Sequence, residues 1–292
     1  MNAMRADNQR RTRRLQNYSD LALLILSPVI PAAVGLLRAG VAVELNPTVA
    51  AIIYMLSGVF VIVTLIHAAV HLRRPLLFFA SSYSVGLGAE AWGVFTGIPF
   101  GSYHYVGAGP WALGPRFWIL GMIPLAIPTA WFFLGYLTLH VGQAATPTWK
   151  WIPISAVTLT CVDIMLDPLQ SGRLWTWLTP GRLYGVPLTN FLGWFLVAVA
   201  FYSIYHVTRG HATRVSPAAI VAFLVFSGLL GAEAVMYGMW FAAMIALPPI
   251  IIISAMALRK TGTQFAASLH NHNYRRHADL QETGGESGSQ PS

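Results

Sequence analysis

Charge is scarce in this chain. Only 10% of its 292 residues are Asp, Glu, Lys or Arg and 55% are hydrophobic, whereas soluble domains carry about 25% charged residues. With a mean hydropathy of +0.58, a water-soluble enzyme, a disordered chain and a coiled coil are all excluded. Cysteine is nearly absent as well. A lone Cys161 allows neither an intramolecular disulfide nor a multi-thiolate metal centre, and it leaves the redox compartment undetermined. Also missing are a Walker loop, a dinucleotide-binding glycine fingerprint after a strand and a G-x-S-x-G elbow, so nucleotide-driven and serine-hydrolase chemistry fall away. No metal motif stands out, and the expectation is a chain that works without metal or cofactor.

What is there instead is a series of long apolar runs. Segments of about 17 to 25 apolar residues cross a bilayer as helices, and eight qualify: Leu21 to Leu37, Pro47 to Leu72, Pro75 to Phe95, Phe117 to Val141, Trp151 to Pro168, Val186 to Val207, Pro217 to Met236 and Gly238 to Leu258. The last two need a tight turn near Tyr237-Gly238, and without it the count is seven. The expected fold is therefore all-α, a polytopic membrane helix bundle. A basic segment, residues 1–19, precedes the transmembrane domain, residues 20–258, and a polar tail without fixed structure, residues 259–292, follows it.

The formal charge of +8 reads as a topology signal rather than as affinity for nucleic acid. With both termini in the cytoplasm, every Lys and Arg falls inside except Arg38, Arg116, Arg173 and Arg182, as the positive-inside rule requires of an even number of spans. The location expected is the cell inner (plasma) membrane, with lipid as a partner.

Of the ten acidic residues, Asp7, Asp20, Glu44, Asp279, Glu282 and Glu286 lie in tails, loops or helix ends, which leaves Glu90, Asp163, Asp167 and Glu233 inside apolar spans. A carboxylate at bilayer depth costs on the order of 2.5 to 3.5 kcal/mol and usually faces a protein interior or a hydrated cavity. Asp163 and Asp167 are four apart and share one helix face. Glu90, Asp167 and Glu233 each sit toward the outer end of an outward-running helix, so three acids are expected to meet at one depth.

The segments following two of these helices carry aromatic and hydrogen-bonding groups on the same side: Trp92, Phe100, Tyr103, His104 and Tyr105 around and after Glu90, then Trp175, Trp177, Tyr184, Asn190 and Trp194 after Asp167. These loops would roof the acids, although Trp and Tyr also gather at membrane interfaces for any function. Asn190 suits either holding a water or capping the helix that follows, and His104 could relay protons. His67 and His71 share a helix face at a spacing able to bind metal or haem, but their position beside Arg73 and Arg74 favours an interfacial placement.

Three linked strings carry a resemblance: Glu90-x-x-Gly93-x-x-Thr96-Gly97-x-Pro99-Phe100-Gly101-x-Tyr103-x-Tyr105, then Asp163-x-x-x-Asp167-Pro168, then Tyr184-Gly185-Val186-Pro187-x-x-Asn190-Phe191-x-Gly193-Trp194. In this order, across about residues 50 to 260, the chain resembles the integral-membrane carotenoid biosynthesis family, known from CruF-type carotenoid 1,2-hydratases and bisanhydrobacterioruberin hydratase-like members. The resemblance implies addition of water to the terminal 1,2 double bond of an acyclic carotenoid end group, without a redox cofactor. It also implies a polyene and water as substrates, with other carotenoid enzymes as partners.

The residues suit that chemistry independently. Alkene hydration begins with proton transfer to C2, which leaves a tertiary cation at C1 for water to capture. The proton donor is a carboxylic acid still protonated near neutral pH, and a second carboxylate orients the water and takes up the released proton. Aromatic faces such as those of Trp92, Tyr103, Trp175 or Trp194 stabilise a cation by up to about 2 kcal/mol when desolvated. Asp167 and Glu90 are both candidates for the donor. Three rival readings stay open at this point, one of them a non-catalytic membrane protein that binds a carotenoid or quinone for another enzyme. Intramembrane carboxylates also serve proton-coupled transporters, and a carotenoid cyclase starts from the same protonation.

Overall fold

The computed structural model describes residues 2–38, 47–106, 118–119 and 121–285. Glu44, Arg116, Glu286 and the predicted start of the fourth span at Phe117 lie outside them. In chain order the elements are α1 (Asn2–Leu26), α2 (Val29–Arg38), α3 (Pro47–His71), α4 (Pro75–Thr96), β1 (Tyr103–Tyr105), β2 (Trp118–Ile119) and β3 (Ile123–Pro124). Then come α5 (Ala126–Ala145), α6 (Trp151–Gln170), β4 (Trp175–Trp177), α7 (Leu188–Val207), α8 (Pro217–Met236) and α9 (Trp240–Gly285). The chain is an all-α membrane bundle. Four stretches, Trp151–Gln170, Leu188–Val207, Pro217–Met236 and Trp240–Thr263, are long and apolar enough to cross a bilayer among the described residues.

Proline and glycine set several boundaries. Pro75 and Pro217 open α4 and α8, where a missing N–H costs nothing and φ is already helical. Ser216 caps α8 by accepting from the Ala219 N–H at 3.2 Å. The tight turn expected between the last two apolar runs is present, with Gly238 at φ 78°. Two expected spans are shorter than the hydropathy suggested. The first is broken at Ser27-Pro28 into the end of α1 and the short α2, because a proline cannot donate into a continuing helix. The fourth begins only at Ala126, since Trp118–Ile119 pairs with Ile123–Pro124 as the β2–β3 hairpin, with Gly121 at φ 67° before the second strand.

At the centre is α5. From Trp131 to Gly142 every residue is buried, and it packs against α3, α4, α6, α8 and α9. A helix that is apolar on all sides belongs inside a bundle. Lipid supplies little hydrophobic drive for helix association, so close approach and interhelical hydrogen bonds hold such bundles together. Both are present. Tyr202 on α7 donates to the Gly135 carbonyl at 2.8 Å, and Ser155 on α6 donates to the Thr138 carbonyl at 3.0 Å. Large apolar side chains such as Leu76, Met236, Met244 and Ile252 point outward.

Gly86 on α4 permits a close approach of another kind, because a Cβ there would fall 2.5 Å from Cγ of Trp131. Gly86→Ala is expected to cost roughly 1–3 kcal/mol by overpacking, read as a lower thermal midpoint of the detergent-solubilised protein.

Candidate active site

Glu90 lies on the last third of α4 and is buried. Its carboxyl group is ringed by donors: Trp131 Nε1 donates to Oε1 at 3.0 Å, and the hydroxyls of Tyr103 and Tyr105 donate to Oε2 at 2.6 and 2.7 Å. Burial first, and then the Glu90 carboxyl, pushes both phenols well above the usual tyrosine range, so they remain donors throughout the physiological range. Three fixed donors suit an ionised carboxylate, which only accepts.

The two aspartates on α6 are served differently. A single amide, Asn190 Nδ2, donates to Asp163 Oδ2 at 2.7 Å and also to Asp167 Oδ2. Asp163 Oδ1 is buried with no hydrogen-bond partner among the described residues. Asn190 is the third residue of α7 and its side chain is turned to the acids, so the capping alternative is set aside. This pair is poor in donors where Glu90 is rich.

Between Glu90 and the aspartates lies a cavity of 30 Å³, enough to hold a water molecule. Glu90, Asp167 and Asn190 supply its polar lining, and Phe100, Tyr103, Tyr105, Trp175 and Trp194 its aromatic walls, as the sequence suggested. The roof is the antiparallel pairing of β1 with β4, in the register Tyr103 to Trp177 and Tyr105 to Trp175. Side chains alternate along a strand, so Tyr103, Tyr105, Trp175 and Trp177 reach the cavity. His104 falls between them and is exposed. The proton relay expected of His104 is therefore not supported by its placement.

Three more expected residues lie elsewhere. Trp92 is two positions past Glu90 on a helix, about 200° around the axis, and it is 59% exposed on the outer surface. Tyr184 lines a separate open cavity of 310 Å³ with Arg182, Leu188 and Phe241, and its hydroxyl accepts from the Phe241 N–H at 3.1 Å. Glu233 does not line the acid cavity. It is buried against α2, where a Cβ on Gly35 would fall 2.7 Å from its Oε1: α8 packs on α1, α2, α5, α6 and α9, and the face bearing Glu233 is the one turned to α2.

Sequence reasoning missed Ile127, which lines this cavity, and Trp131, which donates to Glu90 behind it. Trp177, grouped with Trp175 in the sequence, lines it as well. Trp131 is stacked on Trp194 at 4.1 Å, a contact between α5 and α7 that sequence spacing does not encode. Phe100 reaches the cavity by wedging between α4 and α7: Cβ atoms on Gly93 and Gly193 would fall 2.9 and 2.7 Å from its ring.

Residues 50–255 match the family described as carotenoid biosynthesis protein. A bisanhydrobacterioruberin hydratase from Haloarcula japonica is 36% identical over 120 residues, a stretch covering 39% of this chain and 38% of that protein. This match thus spans well under half the length of the relative. No solved structure matches the chain.

Proposed function

The chain belongs to the carotenoid biosynthesis protein family, and from that premise we propose that it is a carotenoid 1,2-hydratase working through the Glu90–Asp167 cavity. The observation that carries the reading is the contrast between the two carboxyl environments flanking a water-sized space. An ionised pair of aspartates sharing one amide would leave a buried charge poorly compensated, so the Asp163–Asp167 pair holds a proton. Glu90, fully served by Trp131, Tyr103 and Tyr105, is the anion.

The reaction then runs as follows. Asp167, which faces the cavity, gives its proton to C2 of the terminal alkene, and the electron pair of the double bond forms the new C–H bond. The resulting tertiary cation at C1 sits among the aromatic walls, with the Glu90 carboxylate as its nearby counter-charge. Water held near Asn190 attacks C1, and its surplus proton passes to Glu90, giving a tertiary alcohol. A proton returned from Glu90 to Asp167 through the cavity water completes the cycle, with no electron gained or lost. Asp163 acts behind Asp167 by sharing its amide donor. Glu233 is assigned no part in this chemistry.

The proposed setting is a multi-pass protein of the plasma membrane with eight spans and both termini in the cytoplasm. In that division residues 1–19 and 259–292 flank the catalytic domain.

Expression in a bacterial host that accumulates lycopene tests the reading. A more polar pigment heavier by one or two waters, with an unchanged chromophore, is expected. A pigment of the same mass with shifted absorption would point to a cyclase. If lycopene, monocyclic and C50 precursors all emerge unchanged while the protein is present in the membrane, the hydratase reading fails. Trp92→Ala and His104→Ala are expected to leave conversion unchanged in the same assay, since neither residue lines the cavity.

A further inference from the structure

A second polar cluster lies away from the carboxylate cavity. His67 and His71 are wholly buried and their rings stack at 4.0 Å, so both face the interior of the bundle. Asp20, expected at a helix end, sits six residues inside α1 and meets them. Its Oδ1 is 2.8 Å from His67 Nε2 and 3.7 Å from His71 Nε2. The three potential ligand atoms lie within 4.8 Å of one another. Zinc-like ions with ligand distances of about 2.0–2.1 Å place neighbouring ligand atoms about 2.9 to 3.4 Å apart, and because such an ion lies in the plane of each imidazole it binds, one of the two stacked rings must turn out of parallel to close the set.

The hydrogen bonds around the cluster fix which atoms point inward. His71 Nδ1 is engaged by the His67 carbonyl at 3.0 Å. It can only donate there, so the neutral ring presents a bare Nε2 lone pair to the Asp20 carboxylate. Two acceptors facing one another at 3.7 Å leave a gap that a cation, whether a proton or a metal ion, would fill. His67 Nδ1 is held by the Tyr136 hydroxyl, and the Ser216 hydroxyl donates to Asp20 Oδ1 at 2.6 Å. Each prospective ligand thus has an outer partner that orients it, the arrangement by which proteins tune metal sites. His140 stands edge-on to both rings at 6.0 and 6.1 Å. Its Nδ1 accepts from the Ser216 N–H at 3.1 Å, and its Nε2 is buried with no hydrogen-bond partner among the described residues, as a donor to a metal-bound water or hydroxide would be.

The far end of α3 is anchored independently, because the Thr213 N–H and hydroxyl both donate to the His71 carbonyl, at 2.7 and 2.9 Å. Along α5, His140 lies nine residues beyond Trp131, about 14 Å at 1.5 Å per residue, so this cluster and the carboxylate cavity are separate sites.

We propose that Asp20, His67 and His71 form a buried site for a divalent first-row transition metal ion of the zinc or iron(II) class, which staples α1 to α3. Two imidazoles and one carboxylate suit these ions and leave positions for water. The role is structural, so metal removal is expected to loosen α1 before it alters the carboxylate cavity.

The test uses the full chain, purified in detergent with a histidine-free tag. Metal content is measured by mass spectrometry, and the chelator-treated protein is titrated with Co²⁺ while its ligand-field absorption is followed. One ion per chain is expected, with a Co²⁺ spectrum that Zn²⁺ displaces. Tyr136→Phe keeps the ring and the fold but removes the outer hydrogen bond, so it should weaken Co²⁺ binding about 10- to 100-fold. His67→Ala combined with His71→Ala should abolish binding. Replacing the tail histidines His270, His272 and His277 by Gln should leave it intact. A folded wild-type protein that takes up neither Co²⁺ nor Zn²⁺ overturns the proposal, as does undiminished binding in the His67/His71 double variant.

Discussion

Asp167→Asn is expected to lower carotenoid hydration by about 10²- to 10⁴-fold, the usual contribution of a positioned general acid, with the protein still present in the membrane. The substitution changes almost nothing but the proton. An asparagine carbonyl at this position still accepts from Asn190 Nδ2, so the α6–α7 contact that now joins the two residues survives. What is lost is the only group on α6 that both lines the cavity and is able to protonate C2. Asp163→Asn provides the internal comparison. Asp163 shares the same amide but does not line the cavity, so its loss should be smaller and should appear mainly as a changed pH profile. Equal losses in the two variants would remove the basis for assigning Asp167 as the donor. Pigment mass and membrane protein level, measured in parallel, separate lost chemistry from lost protein.

The second large effect is expected at Glu90. Glu90→Gln removes the counter-charge to the cation and the acceptor of the released proton, and losing one such electrostatic element commonly costs 10² to 10³ in rate. Here the cost is compounded locally. Trp131 donates to one oxygen and two tyrosines to the other, so the amide NH₂ must face either the indole N–H or the phenols, and at the indole it leaves two buried donors opposed. Tyr103→Phe and Tyr105→Phe each remove one of three donors and should retain more activity than Glu90→Gln. With one group required protonated and another ionised, the rate should follow a bell in pH. Activity is lost at low pH as Glu90 gains a proton and at high pH as the aspartate pair gives one up. In Glu90→Gln the low-pH limb should vanish, which is checked by the pH profile of residual conversion in isolated membranes.

Much of this site was legible because apolar sequence makes a carboxylate conspicuous. Glu90 and Asp167 stood out for that reason, and the spacing of four between Asp163 and Asp167 placed both on one helix face, where one asparagine now bridges them. The same logic misled at Glu233. It is a buried acid in an apolar run as well, but which neighbour a helix packs against is set in three dimensions, and α8 turned its acid toward α2. Trp92 and His104 were grouped with the site by closeness in sequence to Glu90 and Tyr103, although helical and strand periodicity point each of them the other way. Trp131 reaches Glu90 from 41 positions away, through the space left at Gly86, and no local pattern announces that. His67 and His71 were read from the arginines that follow them. Burial beneath α1 depended on Asp20, 47 positions earlier in the chain.

The fold was legible to a similar depth. Long apolar runs gave the helices, and glycine at 238 gave the turn between α8 and α9. Hydropathy alone did not register that Pro28 splits the first run or that Trp118–Ile119 pairs back on Ile123–Pro124, because both segments are as apolar as a span. Backbone breakers outrank composition at those two places.

The most direct test of the central claim is to supply the membrane-embedded protein with an acyclic carotenoid in water labelled with heavy oxygen and to read the pigment by mass spectrometry. The account predicts one labelled oxygen in each hydrated end group, appearing with the wild-type chain and absent with Asp167→Asn. A hydrated product formed equally by the Asp167 variant, or a carotenoid recovered with no labelled oxygen from an abundant wild-type protein on every acyclic substrate supplied, would contradict it.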